Sequence, residues 1–213
     1  MTVGQMLMEA EDRTKGLDED RVQLTKEKVF NNLTKFIEAI GYPRDNYDHS
    51  EANVHDMAFA IIFPIFYTFR TETKRQLRLT REKEIISIDR YTGGYQEIVI
   101  TDTVAGPKSD KYVLVVEAKK ASLKSAKKQC LLALKDMGDR NRSVVYGFVT
   151  VGDVWQMIRY QNSKFTQTEA FHAAFRTMKV EKAKWMRESS VVIDLIHMAL
   201  KSVGPTRAAG AAA

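Results

Sequence analysis

Apolar residues recur along this chain in changing rhythms, and each rhythm predicts a different element. Val29, Phe30, Leu33, Phe36, Ile37 and Ile40 fall at helical spacing, which predicts a helix with one face in the core. Asp20 and Gln23 supply a capping box upstream, and Gly41 with Pro43 stops the run. A second helix is predicted over SEANVHDMAFAIIFPIFYTF, with Ser50 as N-cap and Glu51 in the first turn. Its middle is apolar nearly all round, which predicts burial, and Pro64 predicts a kink. Residues 1 to 20 are polar and acidic without a sustained period, and predict a frayed or loosely docked start.

The rhythm then shortens. Residues 84 to 89 and 95 to 101 read as strands around a Gly93-Gly94 turn, and a third strand over 111 to 117 follows the loop TVAGPKSD. Leu123, Ala126, Cys130, Leu134 and Met137 mark one face of a helix over about 122 to 137, with the stem of Lys127 lying beside that stripe. VVYGFVTVG and VWQMIRY are two further strands joined through Gly152-Asp153, and the end of the chain is expected to be mostly helical, with SSVVIDLIHMALKSV as an amphipathic helix. Three strands in succession, then a crossover helix and another strand, predict an α/β fold with a mixed central sheet flanked by helices on both faces. The expected division is an N-terminal helical extension over 1–49, an α/β domain over 50–203 and a low-complexity, disordered tail over 204–213.

Charge adds a partner class. The 33 basic and 27 acidic residues leave a net +6, which favours a polyanion where the cations cluster. They cluster at Lys119, Lys120, Lys124, Lys127 and Lys128, directly after the third strand. Cys130 is the only cysteine, which excludes an internal disulfide and suggests a packed thiol in a reducing compartment. The start has no basic region followed by an apolar one, and the apolar stretch from 57 to 67 is too short to span a bilayer. The expectation is a soluble intracellular protein, nuclear or cytoplasmic. Walker loops and zinc-ligand spacings are absent from the sequence.

The candidate chemistry lies where two apolar strands meet charge. Glu97 opens the run IVI, and Glu117 and Lys119 close YVLVV. Antiparallel pairing would bring the start of one strand beside the end of the next, so the two carboxylates would face each other. Glu117 and Lys119, two apart, share one face of the sheet. Two carboxylates suit a hard divalent cation such as Mg2+ or Mn2+, with a lysine to orient or help deprotonate an attacking water. The plainer reading is a charged strand end making salt bridges.

VVEAKK, with an acid ahead of IVI and Gln129 on the helix that follows, resembles the PD-(D/E)XK nuclease superfamily. GFVTVGDVWQMIRY is similar to the strand pair that follows the same core in type I restriction-enzyme nuclease domains and in fungal and oomycete nuclease-like domains. The resemblance covers roughly residues 50 to 200 and implies a restriction-endonuclease-like fold and a metal-dependent endonuclease acting on DNA more than RNA. It implies Glu117 as the second metal-binding acid, Lys119 as the catalytic lysine, Gln129 as the helix glutamine and Glu97 in place of the usual aspartate. Glu51 takes the upstream helix acid, and Asp102 is an alternative to Glu97 if the register differs. Lys120, Lys124, Lys127 and Lys128 would hold the nucleic-acid backbone, no membrane is implied, and a homodimer is left open.

Two departures from the family pattern stand out. Glu97 is one methylene longer than aspartate, and Ala133 stands where a tyrosine often follows the glutamine. The first motivates an alternative, a catalytically decayed nuclease fold that binds nucleic acid without cutting it. A third reading is an interaction or effector module indifferent to nucleic acid. His55, one turn after Glu51, resembles the metal-binding histidine of cap-snatching relatives but reads first as a buried structural histidine, and Trp155 reads as a core aromatic before a base-stacking platform.

Overall fold

Val113 to Val116 have no exposed surface because the strand they form is covered on both faces, the situation a continuous apolar run requires. The computed structural model describes residues 1–8, 17–43, 49–86, 93–103 and 111–202. In chain order the helices α1 (Val3–Met8), α2 (Glu19–Ile40) and α3 (Glu51–Thr73) precede β1 (Leu77–Ile86), β2 (Gly93–Asp102) and β3 (Lys111–Ala118). After α4 (Leu123–Asn141) come β4 (Val145–Thr150), β5 (Val154–Gln161), β6 (Lys164–Gln167) and β7 (Phe171–His172), then α5 (Lys182–Glu188) and α6 (Val191–Lys201).

The strands form one mixed sheet in the order β1-β2-β3-β4-β5-β6, with β7 also paired to β5. β1, β2 and β3 are an antiparallel meander, and α4 carries the chain across to β4, which is parallel to β3. Everything beyond β4 pairs antiparallel. The expected α/β architecture is therefore present, with one core on each face. Ile98, Ile100, Val116 and Phe148 pack with residues of α1, α2, α3 and α6, while Val99, Val115 and Val149 pack with α4. Met6, Val29 and Leu33 belong to the first of these cores, so the first two helices share their interior with the sheet.

Several local expectations change. The N-cap of α2 is Asp18, which accepts a hydrogen bond from the Arg21 amide, and Asp20 lies inside the first turn, so the capping box does not form at Asp20. Residues 3–8 are a helix with Met6 fully buried, and the Glu169 amide donates to the Met1 carbonyl, so this part of the start is docked. β1 begins at Leu77, seven residues before the expected 84, and β6 and β7 stand in a stretch expected to be mostly helical, while α5 and α6 are helices as expected. Ser50 caps α3 as expected, and the helix continues through Pro64. At 23 residues α3 passes for a membrane span by length and composition, but 56% of its apolar window is buried inside the fold. Residues 87–89 of an expected strand and the tail over 204–213 lie outside the described residues.

Gly147 sets how closely α4 lies on the sheet. A Cβ there would sit well inside van der Waals contact of Cys130 Sγ and only 2.9 Å from Leu134 Cδ1. Cys130 is buried, and desolvation first, then the charge of Glu117, pushes its thiol well above the ordinary range. It is the packed thiol its position predicts.

Candidate functional site

Ladder register brings the acids together. Extending the antiparallel pair Ile98–Val116 by one residue sets Glu97 opposite Glu117. On the other side of β2, the pairs Arg81–Ile98 and Lys83–Gln96 flank Glu82, which sets Glu82 opposite Glu97. Three glutamates thus stand at one level of three neighbouring strands. Side-chain direction separates their environments.

α3 approaches this end of the sheet with its first two turns, because the Ser50 cap starts the helix there and i, i+4 spacing puts Glu51 and His55 on one side. Lys119 Nζ donates to Glu51 Oε1 at 3.1 Å and to Glu97 Oε1 at 3.0 Å, bridging helix and sheet. His55 Nδ1 lies 3.0 Å from Glu97 Oε2, and its Nε2 lies 2.9 Å from the Ala118 carbonyl oxygen. Acceptors thus face both ring nitrogens. Its side chain is 19% exposed, so His55 belongs to the cluster and not to the deep core.

The backbone fixes Lys119 as firmly as the carboxylates do. Its amide donates to the Thr150 carbonyl at 3.0 Å, carrying the β3–β4 pairing one step past the strand. Burial works against the ammonium, but the hydrogen bonds and charges of Glu97 and Glu51 outweigh it and raise its pKa. Glu51 also loses to burial, and Lys119, the Lys120 backbone N–H and His55 together bring its carboxyl below the usual range.

Glu117 is the exception. It has no exposed surface, and neither carboxylate oxygen has a hydrogen-bond partner among the described residues. Desolvation, reinforced by the charge of Glu97, pushes it up to about 8, against the opposing pull of Lys119 and of the nearby Glu97 peptide N–H. That N–H assists without completing a hydrogen bond of ordinary geometry.

Ligand atoms of Glu51, His55 and Glu97 all lie within 4.8 Å of one another. These two carboxylates and one imidazole are atoms of the kind that could hold a metal ion, and Glu117, opposite Glu97 on the next strand, lies outside that group of three. An open cleft of about 430 Å³, lined by His55, Glu82, Tyr95, Gln96 and Glu97, gives access.

Gln129 does not reach the acids by hydrogen bonding. Its side-chain N–H donates to the Tyr95 carbonyl oxygen at 2.7 Å, tying α4 to the strand that forms the cleft wall. Asp102 sits at the far end of β2, buried and bonded by Arg75 at 2.6 Å, so it is a structural acid. Trp155 is fully buried, with its indole N–H on the Gly152 carbonyl, as a core aromatic should be. Lys120, Lys124 and Lys128 are exposed, and Lys127 is half-buried.

Two site residues carried weak signals in the sequence. His55, the i+4 neighbour of Glu51, was open to a metal-binding role in the sequence but read first as a buried structural histidine. Glu82 lies in a polar edge strand and takes a left-handed conformation, φ 49°, that no local motif announces. No family model, curated protein or solved structure matches the chain.

Proposed function

We propose that the chain is a divalent-metal-dependent endonuclease of the PD-(D/E)XK kind, hydrolysing phosphodiester bonds with DNA as the preferred substrate. Glu117 carries this reading. A strand end built only for salt bridges would explain Lys119 between Glu51 and Glu97, but not a fully buried carboxylate with no partner among the described residues. Burial of an acid without a compensating group costs several kcal/mol, and that cost makes sense where a cation completes the site.

Glu97, Glu117 and Glu51 would hold Mg2+ or Mn2+, with His55 as a further donor. Bound there, the metal would lower the pKa of a water and offset charge developing on the phosphate. Lys119 acts as a donor, not a base, because its two carboxylate partners hold its proton. Its ammonium orients the attacking water or a phosphate oxygen. Gln129 positions the wall of the cleft through Tyr95. Lys120, Lys124, Lys127 and Lys128 hold backbone phosphates beside the site, so affinity falls steeply with salt. A lone buried thiol suits an intracellular setting, nuclear or cytoplasmic.

The test is nicking of supercoiled plasmid with magnesium, manganese or chelator, by the parent chain, Lys119→Ala and Glu117→Gln. Metal-dependent nicking reduced at least about a hundredfold by each substitution is expected. Absence of nicking by the parent chain, with plasmid still bound, would replace this reading with a decayed nuclease fold that binds nucleic acid.

A further inference from the structure

The helix that supplies Glu51 and His55 continues its i, i+4 row with aromatic residues. Phe59 and Phe63 stack with centroids 5.3 Å apart, and Phe63 and Tyr67 with centroids 6.1 Å apart. Phe63 is 46% exposed and Tyr67 58%, whereas Phe66 and Phe69 of the same helix are buried. Neighbouring rings at the surface make contiguous apolar area, the kind of patch that marks an interaction site.

The charges around the row decide what would cover it. Arg81 lies 5.3 Å from the Phe59 ring centroid and pairs with Asp56 at 3.3 Å. Past Tyr67, a cleft of about 370 Å³ is lined by Tyr67, Arg70, Thr71, Lys74, Arg75 and Gln76. Arg75 is bonded to Asp102 and to the Leu200 carbonyl, and the one acid of this stretch, Glu72, pairs with Arg21 at 3.4 Å. Arg70 and Lys74 remain as exposed cations beside Tyr67. Exposed rings leading into a cationic cleft match a polyanion that carries flat apolar faces.

We propose that Phe63 and Tyr67 are a stacking platform for single-stranded nucleic acid, with Arg70 and Lys74 receiving its phosphates. The proposal rests on the nucleic-acid reading of the neighbouring site. Duplex bases, stacked on each other, cannot offer their faces to these rings, so the platform selects single strands. Chain paired elsewhere would pass along α3 toward the cleft at its N-terminal end.

The test uses fluorescence anisotropy in chelator with labelled oligo(dT) and oligo(rU) of roughly 20 nucleotides and a duplex of the same length. Phe63→Ala/Tyr67→Ala should lose at least about tenfold affinity for one or both oligonucleotides, the two arms separating DNA from RNA, and less than about twofold for duplex. Arg70→Ala/Lys74→Ala should weaken oligonucleotide binding and flatten its salt dependence. Unchanged oligonucleotide affinity in the aromatic variant, at an unchanged melting temperature, would overturn the proposal. So would a parent dimer in sedimentation that the aromatic variant dissociates, since the face would then join two copies. Binding without cleavage would sink the nuclease reading alone, and plasmid cleavage with no aromatic effect on binding would sink the platform alone.

Discussion

Glu97 and Glu117 stand opposite each other on neighbouring strands, yet Lys119 and His55 hold the first while the described residues give the second no hydrogen bond. One acid is tied to a lysine and a histidine. Burial pushes the other up to about 8.

The raised value of Glu117 makes the metal-free protein less stable in alkali. Between its ordinary 4.5 and about 8, the folded chain holds a proton that the unfolded chain has released, so stability falls as pH rises through that window. At 1.36 kcal/mol for each pH step, the loss has an upper bound of about 5 kcal/mol. Urea unfolding in chelator should show a lower midpoint near pH 9 than near pH 5, and Glu117→Gln should remove that slope. A parent chain equally stable at both would contradict a buried neutral Glu117.

His197 should give the opposite slope on the acid side. It is buried, neither ring nitrogen has a partner among the described residues, and desolvation, then Lys201 and Lys26, push it down to about 3. Below 6.5 the unfolded chain gains a proton that the folded chain refuses, so the neutral ring's contribution is lost as pH falls from 6.5 toward 3. His197→Leu, a swap of similar bulk among apolar neighbours, should flatten acid unfolding measured by circular dichroism over that range.

Glu97→Asp tests the extra methylene. Shortening the side chain draws the carboxylate back by about 1.5 Å, enough to break the 3.0 Å contacts to Lys119 and His55. Nicking should fall at least about tenfold, although aspartate is the residue the superfamily resemblance would place there. An equal or faster rate would mean that Glu97 is not held in its working position.

Gly147→Ala should destabilise the fold by about 1–3 kcal/mol through overpacking, because its new methyl meets Cys130 and Leu134. Cys130→Ala should restore part of that loss. A double-mutant cycle in urea with no coupling would show that α4 shifts as a body instead.

The chemistry was legible in the sequence to different depths. Strand β3 could be read directly, since Val113–Val116 are buried on both faces and leave no alternation to confuse. Antiparallel pairing could then be read as setting Glu97 opposite Glu117, whereas Lys119 lies one residue past the strand and reaches Glu51 on α3. β1 was harder because it is an edge strand of charged residues, LRLTREKEII, with an irregular burial pattern, so its start and Glu82 were missed. Buried status misled for His55, whose place depends on how α3 meets the end of β3, a tertiary fact. The short β6 and β7 carry too few residues for any period to show.

Helix α3 would also work as a gauge if both proposed sites hold one strand. Its hydrogen-bonded backbone does not stretch, and its buried face is locked against the sheet, so the interval from Glu51 to Arg70 is constant at roughly 28 Å for 1.5 Å per residue. On the proposed reading, a strand would have to exceed a minimum length before it could engage both ends, and shorter fragments would have to choose one. Product size, more than base sequence, is what such a ruler would select.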